Sequence, residues 1–242
     1  MTDAPRTVSI HETLAGAARA AAGEIVGAAN EAVERRGRFV IALAGGETPR
    51  PVYGLLGGEY RDAIPWDRTD VCFGDERCVP PDDPASNYGM VRATLLDHVP
   101  VPAKRVHRVA GELGATAAAR DYDARMPELF REDANAPTFD VALLGVGADG
   151  HTASLFPGDP ALEERERWAV PALAPPGAKV RERVTLTLSV LNRARLVLIL
   201  CAGEEKRDAV SRILSGAAPE LPAARVRGGE RTLWMLDRTA AG

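Results

Sequence analysis

Three short stretches of this chain are apolar at consecutive positions: FVIALA (39–44), VALLG (141–145) and LVLIL (196–200). A strand with one wet face alternates apolar and polar residues. A strand apolar at every position must be covered on both faces. Segments of that kind, separated by helical stretches, predict an α/β fold: an open, doubly wound, mostly parallel sheet with helices on both faces.

The segments between them fit this frame. Residues 11–36 are alanine-rich with spaced charges and predict a long helix that Gly37 ends. RFVIALA (38–44), DVCFGD (70–75), FDVALLG (139–145), RVTLTL (183–188), RLVLILCAG (195–203) and RTLWMLD (231–237) predict strands. Further helices are predicted around PVYGLL, from Asn87 to His98 behind a Ser86 cap, from Ala115 with Pro127 bending or breaking it, and over residues 204–216. The proline-rich stretch 157–182 reads as an excursion over the surface. No repeat or long linker divides the 242 residues, so one domain spanning 1–242 is expected.

In a doubly wound sheet, ligands gather at the carboxyl ends of the strands. Three strands here end in polar, glycine-containing loops: GGETPR (45–50), GDERCVP (74–80) and GVGADGHTAS (145–154). The third holds Gly145, Gly147 and Gly150, the G-x-G-x-x-G spacing of a dinucleotide turn. Its context disagrees with that use. Asp149 sits where a pyrophosphate would lie, Pro157 interrupts the following helix, and WAVPAL carries no strand-ending acid at the ribose position. The other reading is a sharp turn beside a reacting group. His151 then becomes a candidate general base, with Asp149 orienting it. A locally bonded helix-start histidine is the structural alternative.

In LAGGETPR (43–50), Gly45, Gly46 and the Thr48 hydroxyl suit a phosphate turn ahead of a helix. Glu47 opposes an anion unless its carboxylate points away. The loop is no P-loop, because G-K-[ST] is absent. Arg77 in GDERCVP can pair with a phosphate or steady an oxyanion. Asp75 and Glu76 can anchor Arg77 or meet sugar hydroxyls, or the trio is a solvated charge cluster. Lys206 lies in the first turn of a helix, where the dipole favours acids. Either it reaches an anion or it is solvated. His11, His98 and His107 read as structural, and Cys72 and Cys201 as packed thiols.

Other functions are disfavoured. The net charge of −4 with no dense basic stripe argues against nucleic acid. No apolar run is long enough to span a membrane. MTDAPRTVSI lacks the basic start and apolar core of a signal peptide, so the cytoplasm is expected. Neither cysteines nor other ligands show metal spacing, and there is no G-x-S-x-G elbow.

Together LAGGETPRPVYGLL, FGDERCVPPDDPASNY, LLGVGADGHTASLFPG and RVTLTLSVLNRARLVLILCAGEEKRDAV resemble the 6-phosphogluconolactonase family, in its order, from about residue 39 to 214. The resemblance implies a fold similar to glucosamine-6-phosphate deaminase and ribose-5-phosphate isomerase. It implies hydrolysis of 6-phosphoglucono-δ-lactone in the oxidative pentose phosphate pathway, with no metal, organic cofactor or obligate protein partner. By the same resemblance His151 matches the family's proposed base and Asp149 the acid before it. Gly45, Gly46 and Thr48 match the phosphate turn, and Arg77, Arg183 and Lys206 match family cations. Glu47 departs from it, standing where family members often carry serine. The nearest rival, an amino-sugar phosphate deaminase, shares D-G-H but carries D-E-Y where this chain has D-E-R. A non-catalytic sugar-phosphate sensor is the second.

Overall fold

The computed structural model describes residues 5–130 and 139–242; the first four residues of the amino-terminal segment read above lie outside it. In chain order the elements are β1 Arg6–His11, α1 Leu14–Arg36, β2 Phe39–Leu43, α2 Arg50–Gly57, β3 Thr69–Phe73, β4 Asp75–Arg77 and α3 Asn87–Thr94. Then follow β5 Val106–His107, α4 Ala115–Leu129, β6 Val141–Leu144, β7 Ala169–Leu173, β8 Glu182–Leu186 and α5 Leu188–Leu191. Last come β9 Leu196–Cys201, α6 Arg207–Leu214, β10 Arg231–Asp237 and α7 Arg238–Ala241.

The main sheet has seven strands in the order β1-β10-β9-β6-β2-β3-β5, and every pairing in it is parallel. The consecutive apolar residues are the reason. All of β2, β6 and β9 is buried, and fully covering such a side chain stabilises by roughly 1.5–3 kcal/mol. The chain lays β2, β3 and β5 in one direction, then returns to place β6, β9 and β10 on the other side of β2. That reversal makes the carboxyl ends of β2 and β6 a topological switch point.

Helix α1 packs against β2, β9 and β10 through a face of small residues, Ala17, Ala18, Ala21, Ala22, Ala29 and Ala32, with Ile25 among them. Alanine brings the helix backbone close to the sheet with little side-chain entropy lost. The Thr13 hydroxyl accepts from the Gly16 N–H at its start, and Gly37 closes it at φ 70°.

The structure departs from the sequence reading in definite places. Residues 11–13 are not the start of the first helix, which begins at Leu14: strand β1, ending at His11, precedes it as an edge strand with Val8 and Ile10 exposed. Nothing in its pattern marks two-sided burial, so it carried no strand signal. The stretch 157–182 is more than a surface excursion, since it contains β7 with Ala169, Val170 and Ala172 buried. RVTLTL does form a strand, β8, but in a separate antiparallel sheet, β4-β8-β7. Asp75, read as the end of a strand, and residues 76–77, read as loop, form the edge of that sheet. Helix α3 stops at Thr94 rather than His98, and α4 runs through Pro127 to Leu129. Cys72 and Cys201 are buried.

At the amino-terminal end of the main sheet, a buried carboxylate gathers three chain segments. Asp70 accepts from Arg38 Nε (3.0 Å), Arg105 Nη1 (2.6 Å) and His107 Nε2 (2.8 Å). Burial pushes its carboxyl up and is the largest single effect. The bond from His107 and the charges of Arg38 and Arg105 together outweigh it, so the group is held below its ordinary range. A carboxyl depressed in this way contributes fully above its unfolded pKa of about 3.9, and the contribution is lost as pH falls through the folded value. Asp70→Asn should therefore lower stability in urea unfolding at pH 7 by about 1.5–3 kcal/mol, the worth of hydrogen bonds to charged groups. The gap to wild type should narrow as pH drops below about 4. A gap of constant size down to acid pH would show that the carboxylate charge is not its source.

Candidate active site

The loop after β6 is folded around one imidazole. Gly147 N–H donates to the His151 carbonyl (2.8 Å) and Gly150 N–H to the Gly147 carbonyl (2.9 Å), so the segment turns back within five residues. His151 Nδ1 lies 2.6 Å from Asp149 Oδ1, which also accepts the His151 backbone N–H (3.1 Å). The bond from His151 holds the Asp149 carboxyl below the usual carboxylate range, against a smaller opposing push from burial. An ionised carboxylate only accepts, so the proton of the neutral ring sits on Nδ1 and Nε2 keeps its lone pair. The ring packs 4.8 Å, centroid to centroid, from Phe156 and directly over Gly147, where a Cβ would overlap Nδ1 and Cε1. The glycine spacing serves this packing, not a pyrophosphate.

The turn after β2 approaches from the adjacent strand. Gly45 is in close contact with the Asn87 carboxamide, and a Cβ there would overlap it. Glu47 pairs with Arg50 Nε at 2.8 Å and its side chain is 84% exposed. Its carboxylate thus stays out of the cleft lining, which removes the objection it raised to an anion in this turn.

Asp75 joins the two loops. Its Oδ2 accepts from the Ser154 hydroxyl (2.6 Å), in the histidine loop. Its Oδ1 accepts from Asn87 Nδ2 (3.0 Å), the side chain packed on Gly45. All three residues are buried. Glu76 turns the other way. It accepts from the backbone N–H groups of Asn87 (2.7 Å) and Tyr88 (2.8 Å) and from the Ser86 hydroxyl (3.1 Å), at the start of α3. Burial raises its carboxyl despite these bonds. Glu76 reaches Arg77 only at the backbone N–H, 2.7 Å away; neither acid anchors the guanidinium.

Arg77 and Arg183 stand directly opposite each other in the β4–β8 ladder. Like charges so placed are unfavourable by roughly 0.2–1 kcal/mol. Burial, and then the charge of Arg77, lower the Arg183 pKa. Among the described residues, neither guanidinium has a carboxylate within ion-pair distance. Asp75 and Glu76 oppose that lowering only from beyond ion-pair distance, and two guanidinium groups side by side suit an anion.

The residues expected from sequence converge. Gly45, Gly46 and Thr48 line one cleft of about 200 Å³ together with Asp75, Arg77, His151, Arg183 and Lys206. Asp149 stands behind His151 rather than in the wall. Lys206 Nζ has only a loose ion pair, 3.8 Å to Glu205. Asp75 lines the cleft, but both its carboxylate oxygens are already bonded. The cleft therefore carries three cations and one internally satisfied anion. His11, His98 and His107 lie elsewhere and bond to Ser9, the Ala93 carbonyl and Asp70. Among the described residues, no three His, Cys, Asp or Glu side chains gather as metal ligands would, and no helix is long and apolar enough to cross a membrane.

Sequence reasoning missed Asn87, Ser154 and Ala153. The first two are bonded to Asp75 from afar in sequence. Ala153 lines the cleft at φ 49°, the only described non-glycine residue with positive φ. Such backbone concentrates at functional sites, but no side-chain type announces it.

Comparison with known proteins gives the family and the fold. The family described as glucosamine-6-phosphate isomerases/6-phosphogluconolactonase matches residues 12–234. The 6-phosphogluconolactonase of Streptomyces coelicolor is 40% identical over 250 aligned residues, covering 100% of this chain and 95% of that one. The crystal structure of the Thermotoga maritima 6-phosphogluconolactonase has 32% identity and a TM-score of 0.83, covering 97% of this chain and 100% of that one. A monomeric glucosamine-6-phosphate deaminase shares the fold, with a TM-score of 0.79 at 22% identity over 97% of this chain and 98% of that one. The matched span contains every residue of the cleft, and the chain belongs to the glucosamine-6-phosphate isomerase/6-phosphogluconolactonase family.

Proposed function

We propose that this chain hydrolyses 6-phospho-D-glucono-1,5-lactone to 6-phosphogluconate, as an enzyme of the oxidative pentose phosphate pathway acting in the cytoplasm. The observation that carries the reading is the Asp149–His151 pair set in a cleft with three cations, in a chain 40% identical to a 6-phosphogluconolactonase. The substrate has two demands for positive charge: its phosphate throughout, and its carbonyl oxygen once water attacks. Arg77, Arg183 and Lys206 supply cations for both.

His151 Nε2 takes a proton from water as the water oxygen bonds to the lactone carbonyl carbon. The carbonyl electrons move to oxygen, and the resulting oxyanion is steadied by a cation or backbone donor in the wall. When the oxyanion collapses, the bond from carbonyl carbon to ring oxygen breaks. The ring oxygen takes the proton back from the imidazolium, so His151 ends each turnover neutral. Asp149 keeps Nδ1 protonated and the ring in place, and favours the transient imidazolium. Binding of the remote phosphate orients the ring for attack.

Protein-dependent acid release from fresh 6-phosphogluconolactone, above spontaneous opening, is expected; ammonia from glucosamine 6-phosphate, run in parallel, is not. The opposite pattern would move the assignment to the deaminase branch. His151→Ala should lose roughly 10²–10⁴-fold in kcat, the usual worth of a positioned base, with KM little changed. Gly147→Ala should come close to that loss with every titratable group retained, because the new methyl takes the space of the imidazole. Near-normal kcat in either variant rules out His151 as the base. Lys206→Ala should raise KM more than it lowers kcat; an unchanged KM removes Lys206 from substrate binding.

A further inference from the structure

Arg77 and Arg183 line more than the cleft. They also line a groove of about 670 Å³, between residues 83–85 and residues 178–180. Each guanidinium is tied to a loop of this groove: Arg77 Nη1 donates to the Ala85 carbonyl (2.8 Å) and Arg183 Nε to the Val180 carbonyl (2.9 Å). These bonds use one nitrogen of each fork. Arg77 Nε is buried and has no partner. Lys179 adds a third cation to the groove. The one carboxylate there, Asp83, accepts the Ala85 N–H at 2.7 Å and so is engaged by its own loop.

The groove thus has the parts of an anion site: two guanidinium forks with no carboxylate at ion-pair distance among the described residues, which suit the geometry of phosphate oxygens, and an ammonium acting as a point charge. Its size falls within the usual 300–1,000 Å³ of small-molecule sites, roughly, whereas the cleft is smaller. We propose that the groove is a second anion subsite, for a phosphate dianion, either free or carried on a monoester. An anion held there draws on the same two guanidinium groups that face the cleft, so its binding opposes that of the substrate. The opposition rests on the lactone reading; the binding itself does not.

Lys179 and Ala178 line the groove and not the cleft, so Lys179→Glu and Ala178→Glu test the groove alone. Calorimetric titration of the wild type with inorganic phosphate, and separately with glycerol phosphate, should show binding that weakens roughly tenfold or more in both variants, as an attractive charge is lost or a repulsive one added beside a dianion. Weakening in both arms assigns the groove to the phosphate group whatever carries it; weakening with inorganic phosphate alone assigns it to the free ion. In turnover, phosphate should inhibit the wild type competitively and each variant less, with uninhibited rates alike. Titrations that coincide for wild type and both variants, or show no phosphate binding, overturn the proposal. Absence of lactone hydrolysis would defeat the functional reading and leave the titration to decide on the groove by itself.

Discussion

Burial of β2, β6 and β9 on both faces is the constraint from which the rest follows. Strands apolar at every residue have no side to offer water, so polar chemistry is confined to where the strands end. Parallel pairing brings those ends to one edge, and the reversal of strand order between β2 and β6 opens a gap between their loops. The turn after β2 and the histidine loop line one cleft because they leave adjacent strands. Lys206 follows β9, the next strand along. The cleft is thus a by-product of covering the sheet.

Within that gap the loops are fixed by close approach and by a buried polar network. At Gly45 and Gly147 the missing side chain is the functional property, since each leaves room for a neighbour's polar group against the backbone. Asp75 then ties the two loops together through Ser154 and Asn87. A buried carboxylate is costly unless its oxygens are bonded, and here the bonds come from both sides of the gap. Its main work is therefore to set the separation of the two loops. The strained backbone of Ala153, next to Ser154, fits the same picture of a loop held by contacts rather than by local preference.

Much of this was legible in the sequence. Two-sided burial shows as runs of consecutive apolar residues, so β2, β6 and β9 and the parallel sheet could be read directly. Most of the cleft residues could be read because they sit in glycine-containing polar loops at strand ends; Arg183 follows only from the family resemblance. What escaped was set by tertiary contact. Strand β1 is an edge strand held chiefly by its pairing to β10. Strands β4 and β7 join β8, itself legible as a strand, in a small sheet of their own, and short antiparallel partners with mixed composition resemble loops. Glu76 reads like a ligand-facing acid beside Arg77, but the exposed N–H groups of α3 claim it. No local pattern reveals that Asn87 and Ser154 meet at Asp75.

The pairing of β4 with β8 has a consequence for how the cleft acquires its charge. Arg77 and Arg183 face each other because of the alignment of two backbones, in which Glu76 pairs with Val184 and Asp75 with Thr185. A slip of one residue would set Val184 or Glu182 opposite Arg77, and a slip of that size turns alternate side chains to the other face. The pairing of two guanidinium groups in this wall is therefore encoded in a strand alignment as much as in residue type. Insertions or deletions in the loops flanking β8 would change ligand preference even with every arginine retained.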